Sequence, residues 1–172
     1  MRAARRVLLA LGTAAVAVVA VASGAGGAGN DLAEVRAATA RFHRLSTAQA
    51  AGYGLFTDAA GLACIEDPGG AGAMGTHFVN GALVGDGLID AARPEALLYD
   101  RTGSGDRLLG VEYVVLVSDW AGEDPPSLFG HEFHLVEEPN RYGLPPFYEL
   151  HAWVWKQNPA GTLEDWNPLV DC

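Results

Sequence analysis

Two different spacings of apolar residues divide the chain near residue 73. From Asn30 to Gly54 the apolar positions return every three or four residues: Leu32, Val35, Ala38, Phe42 and Leu45 share one face. That spacing predicts one long amphipathic helix. Asp31 with Glu34 three residues on resembles a capping box at its start, and Gly52 and Gly54 end it. Glu34, Arg41 and Arg44 form a solvated face, with His43 on the same polar side. Residues 54 to 73, rich in Gly and Ala, read as loop.

Beyond that point the apolar runs become short and rich in aromatics. "MGTHFVN" (74–80), "EALLYD" (95–100), "RLLGVEYVVLV" (107–117), "HEFHLV" (131–136) and "FYELHAWVWK" (147–156) read as strands, separated by turn-forming stretches such as "RTGSGD", "AGEDPP" and "NPAGT". The connections are too short for helical crossovers, except 81–94, so neighbouring strands should run antiparallel. The expected fold is α+β: the long N-terminal helix packed on a mainly antiparallel sheet of five or more strands. A small closed β-barrel or a cupin-like double-stranded β-helix is the alternative.

One residue breaks the apolar run of the third strand. Glu112 lies between Val111 and Tyr113, and desolvating an unpaired carboxylate costs several kcal/mol. It needs a partner, a proton or an exit to solvent. Side chains alternate across a strand. In the last strand Phe147, Glu149, His151, Trp153 and Trp155 therefore share a face, opposite Tyr148, Leu150, Ala152 and Val154. His77 shares a face with Gly75 and Val79, while His131 and His134 point to opposite sides, His134 being the more interior. Imidazoles on neighbouring strands with one carboxylate suit a divalent zinc, manganese, iron or copper ion, which makes His77, Glu112, His134 and His151 the candidate ligands. The bland alternatives for Glu112 are an ion pair with Arg93 or Arg107, or a proton taken from a histidine such as His151. Trp120 and Trp166 are candidates for the edge of a pocket.

Composition narrows the setting. "MRAARRVLLALGTAAVAVVAVASGAGGAGN" has a basic start, sixteen mostly apolar residues from Val7 to Ala22, then small residues. It reads as a secretory signal peptide over residues 1–29, too thin in its apolar run for a membrane span. The remaining residues, 30–172, are enough for a single globular domain. Residues 1–29 hold three of the 11 basic residues and none of the 21 acidic ones. Without them the formal charge is −13, which argues against nucleic acid or an anionic membrane as partner. Cys64 and Cys172, an even pair in an exported chain, read as a disulfide. The expected location is outside the cell, in the medium or at the envelope.

Other chemistries find little support. "GAGAMG" at 70–75 and "GAGGAG" at 24–29 match a dinucleotide-binding string but lack the strand before and helix after that it requires. "HEFH" is one residue short of the zincin motif, and no serine stands in a nucleophile elbow. Three functions stay open: binding of a divalent metal or small ligand, metal-dependent catalysis at the same residues, or a structural module with no site.

The segments "AMGTHFVN", "RPEALLYD", "GVEYVV", "SLFGHEFH", "YELHAWVWKQNPAGT" and "DWNPLVDC" resemble those of a group of small exported bacterial proteins, frequent in actinomycetes. The resemblance covers about residues 35 to 172, and "LHxWxWxxNPxG" followed by "WNPxVxC" is its distinctive string. It implies membership of that group and carries over no activity and no residue role. Gly81 stands where a proline is expected after "VN", a departure that touches only the turn.

Overall fold

The computed structural model describes residues 28–103 and 105–172. The expected signal segment, 1–29, lies outside the described residues apart from Ala28 and Gly29, where the first helix begins.

The predicted single helix is broken in two. Helix α1 (Ala28–Thr39) runs into a 3-10 turn (Ala40–His43), and Arg44 is extended before helix α2 (Leu45–Ala50) starts. Asp31, expected as the cap, sits in the first turn of α1. The Thr39 hydroxyl donates to the Val35 carbonyl at 2.7 Å, a back-bond that bends helices. The break lets both Phe42 and Ala48 enter the core. Helical periodicity survived the bend, which is why the apolar spacing read as continuous.

The strands are β1 (Gly54–Leu55), β2 (Cys64–Glu66), β3 (Ala73–Val79), β4 (Ala96–Asp100), β5 (Arg107–Leu116), β6 (Ser127–Leu128), β7 (His131–Glu132), β8 (His134–Val136) and β9 (Phe147–Ala152). A one-turn helix α3 (Gly81–Val84) follows β3, its start capped by the Asn80 side chain, which accepts from Ala82 N. Seven strands form an open antiparallel sheet in the order β1-β3-β4-β5-β9-β8, with β2 also on the outer edge of β3. The barrel alternative is thereby corrected: the sheet ends on two free edges. Among the described residues no helix is long and apolar enough to cross a membrane.

Strand alternation gives the sheet two unlike faces. Phe78, Leu97, Tyr99, Val111, Tyr113, Leu150 and Ala152 pack with Val35, Phe42, Ala48 and Tyr53 of the helical layer. The tyrosines enter this core because each hydroxyl donates to a carbonyl: Tyr53 to Pro94 (2.7 Å), Tyr99 to Phe42 (2.6 Å) and Tyr113 to Ala91 (2.8 Å). The opposite face carries Leu98 and Leu109, packed with Ala73, Trp153 and Val170, and it carries the polar residues described below.

Strand β9 stops at Ala152, short of the expected Lys156. There Trp153 N turns to the Thr162 carbonyl and Val154 N to that of Ala152. Trp153 and Trp155 consequently do not share a face: Trp153 donates to the Glu164 carbonyl (2.6 Å), while Trp155 reaches Thr39 on the helical side (3.1 Å). The segment after β9 folds back along β3. Ala73 and Asn167 exchange both backbone hydrogen bonds at 3.2 Å. Gly72 allows this approach; a Cβ there would lie 2.2 Å from the Asn167 carbonyl oxygen. The buried Asn167 side chain donates to Gln157 O and accepts from Leu169 N. Cys64 on β2 and Cys172 form the expected disulfide, 108 residues apart in sequence.

A second buried carboxyl lies on the helical side. Glu95 is 1% exposed, accepts from Val114 N at 3.1 Å, and burial pushes its pKa up to about 8. A carboxyl raised on folding contributes stability that is present below its unfolded value near 4.5 and is lost as pH climbs through 8. Glu95→Gln keeps the acceptor for Val114 and removes the titration. In denaturant melts the variant should equal wild type near pH 4 and exceed it by roughly 2 to 4 kcal/mol at pH 9. Parallel pH profiles would show that Glu95 stays ionised.

Candidate metal centre

The second face of the sheet gathers the imidazoles and carboxyls. Register places Glu112 on β5 opposite His151 on β9, and Val114 opposite Glu149 on β9, which faces His134 on β8. On the other side of Glu112, β4 contributes Ala96, paired in turn with Val79 on β3. His77 is one side-chain step further along β3. Strands β3 and β5 stand about 10 Å apart with β4 between them, yet His77 Nε2 reaches Glu112 Oε2 at 3.4 Å. The small methyl of the buried Ala96 leaves room for this crossing. Ala96→Leu should fill that space, cost about 1–3 kcal/mol by overpacking, and weaken any cation held by His77 and Glu112. Metal titration of the variant checks this.

His77, Glu112 and His151 each place one ligand atom within 4.8 Å of the others, and all three are buried. Three of the four expected ligands thus come together. The fourth, His134, stands in a neighbouring group with Glu149 and Asp165, because β8 lies beyond β9 at the edge of the sheet. His134 Nδ1 is 3.4 Å from Asp165 Oδ2 and 3.8 Å from Glu149 Oε1. The arginines offered as partners for Glu112 are engaged elsewhere: Arg93 with Asp86 at 3.4 Å, and Arg107 with Asp100.

Two participants were not in the expected ligand set. Glu149 was visible on the face of His151 and is nearly fully buried; it shares a hydrogen bond with Glu112. Asp165 lies in the irregular segment after β9, where no periodicity assigns a side. Its Oδ1 is 3.1 Å from His151 Nδ1. That contact orients the ring and leaves Nε2 as the free nitrogen, an arrangement common behind metal-binding histidines. The His151 Nε2 and His77 Nδ1 atoms are buried without a hydrogen-bond partner. Buried polar atoms are nearly always paired, so two such ring nitrogens in one cluster mark a place built for something else.

Electrostatics separates the two histidines. Burial and the neighbouring His151 push His77 down to about 3, so it stays neutral and can donate a lone pair. Burial also opposes charge on His151, but Glu112, Asp165 and Glu149 outweigh it and raise that imidazole to about 9. Burial pushes Glu112 up to about 8 against the pull of His151, and burial raises Glu149 as well. Asp165 is held low by His151 and His134 despite its burial. The ionised form of each of Glu112 and His151 favours that of the other, and the protons they carry stand where a cation would bind.

Beside the centre opens a cavity of about 340 Å³, lined mainly by apolar side chains including Phe56, Val79, Val114, Leu144 and Phe147, with His77, Glu112 and Tyr142 among its polar members. The tryptophans expected at a pocket edge take no part in this lining. The segment carrying Tyr142 and Leu144 is anchored by Arg141, which pairs with the buried Asp58 at 3.0 Å and donates to the Glu66 carbonyl at 2.9 Å.

Family models, curated proteins and solved structures yield no match to this chain. The chemistry of the site has to speak alone.

Proposed function

We propose that the protein binds a divalent transition metal through His77, Glu112 and His151. The observation that carries this reading is the free Nε2 of His151, buried beside the His77–Glu112 contact while Asp165 holds the other ring nitrogen. Two imidazoles and one carboxylate suit zinc, iron, manganese or copper. The cation would replace the proton on Glu112 and the proton on His151, compensating a carboxyl that the strand otherwise buries at a cost. Ligands must shed protons to bind a metal, so affinity should rise with pH.

The test is calorimetric titration of tag-free protein with Zn(II) and Mn(II) at pH 7 in buffers of different ionisation enthalpy. Saturable binding with release of about one to two protons per chain is expected. Absence of binding, together with an unchanged melting temperature in either metal, would overturn the reading.

A second reading, metal-dependent catalysis on a small apolar molecule, is favoured by one feature. The centre has three protein ligands, as catalytic sites that keep an open position do, and His77 and Glu112 also line the apolar cavity. The disulfide fits an oxidising compartment. It supports our proposal that the chain is exported and acts in the medium or at the envelope, as expected of the small bacterial proteins that its segments resemble.

A further inference from the structure

We infer that the cavity beside the buried centre receives an uncharged apolar molecule of about ten to fourteen non-hydrogen atoms carrying a single hydroxyl group. This gives the second reading above a ligand class, and it rests on that reading's cavity rather than on a bound cation. The cavity is a product of strand parity. On β3 the next residue on the face of His77 is Val79, and on β5 Glu112 is followed by Val114 and Leu116; on β9 Phe147 precedes Glu149 and His151. Strands β3 and β5 run the same way because both pair antiparallel with β4, and β9 runs against them. All three strands therefore change from polar to apolar toward the same end of the sheet. Strand β4 begins only at Ala96, and none of its side chains joins the lining among the described residues. A slot is left there.

Its volume of about 340 Å³ sets the size of the guest, since an apolar cavity of roughly 150 Å³ holds benzene. Gly81 and Gly85, at the two ends of helix α3, are exposed and belong to the wall, so the guest enters from the surface. The polar end selects the head group. Beside His77 and Glu112 stands Tyr142, whose hydroxyl donates to the Met74 sulfur at 3.8 Å, a weak acceptor. Burial and then Glu112 push that phenol up, which places it near the carboxyl. Among the described residues of the lining there is no lysine or arginine, so a carboxylate or phosphate head would lie desolvated against Glu112. An ammonium needs acceptors for three N–H groups, and Glu112 is already engaged by His77 at 3.4 Å and by Glu149. A hydroxyl needs one acceptor and one donor, which Glu112 and Tyr142 can supply. The rest of the wall asks only for hydrocarbon.

The test is NMR titration of chelator-treated, tag-free protein with molecules that share one tail: 4-phenylbutan-1-ol, butylbenzene, 4-phenylbutylamine and 4-phenylbutanoate. The alcohol is expected to bind at one site, about two- to tenfold tighter than butylbenzene and at least about tenfold tighter than the two ions. Tyr142→Phe should erase the advantage over butylbenzene, and Val114→Phe should weaken the alcohol by about tenfold or more. A Cβ on Gly81 meets no atom within 4 Å, so Gly81→Leu narrows the same wall and serves if Val114→Phe does not melt like a folded protein. Binding of none of the molecules, equal binding of alcohol and hydrocarbon, a tighter fit of either ion, or binding that survives the filled wall would overturn the inference. Zinc titration of the same samples keeps the two proposals apart. Alcohol bound and zinc refused would sink the metal and leave the cavity assignment standing; zinc bound and no alcohol would do the reverse.

Discussion

His151→Ala is expected to abolish cation binding at the buried centre and to lower folding stability by roughly 3 to 5 kcal/mol. The two effects have one cause. His151 is completely buried on β9, facing Glu112 across the strand pair and held by Asp165 at 3.1 Å. Without a metal, its positive charge is what Glu112, Glu149 and Asp165 surround. Removing the ring removes both a ligand and the charge that balances three acidic groups, and it opens a void among buried side chains. Asp165→Asn separates these contributions. The amide keeps the shape but weakens the orientation of the ring, which should cost about 10- to 100-fold in metal affinity with a smaller loss of stability. Denaturant melts and zinc titrations on the two variants check both figures. A His151→Ala protein that melts like wild type and binds metal as tightly would contradict this assignment of roles.

Cys172→Ser is expected to cost about 2–5 kcal/mol and to weaken the metal centre as well. Closing a loop across 108 residues removes much of the freedom of the unfolded chain, worth about 4 to 5 kcal/mol in the entropy model. The consequence for the site follows from the topology. The bridge ties the end of the folded-back segment to β2, and β2 pairs with β3, which carries His77. Asp165 and Asn167 lie in that segment, held by the Ala73–Asn167 bridge, by side-chain hydrogen bonds and by the disulfide. When the staple is cut, Asp165 loses part of what positions it against His151. Zinc affinity of the variant should fall, and reduction of wild type should reproduce the effect. Stability lost with zinc affinity unchanged would mean that the Asn167 contacts position Asp165 by themselves.

Much of this site was legible because strands impose a period of two. Parity alone put His77 with Val79 and Glu149 with His151, and the lone carboxylate in "GVEYVV" drew attention to the strand that pairs with β9. The limits were equally physical. His134 was counted with the inner set because parity names a face but not a distance along the sheet; β8 is one strand too far out. "HEFHLV" read as one strand, but β7 pairs with β6 in a separate two-stranded sheet, and β8 pairs with β9. Strands β1 and β2 are two and three residues long, too short to show alternation. Asp165 sits in a segment shaped by asparagine side chains and a disulfide, where neither period applies. Its neighbours "WNP" and Cys172 were the available signal that this segment returns to the sheet.

The most direct measurement is anomalous X-ray diffraction from crystals of the chain loaded with zinc, collected at the zinc edge. The account predicts a peak between β3, β5 and β9, bonded to imidazole nitrogens of His77 and His151 and to a Glu112 oxygen at about 2.0 to 2.2 Å. Zinc confined to surface residues, with no peak among His77, Glu112 and His151, would contradict it.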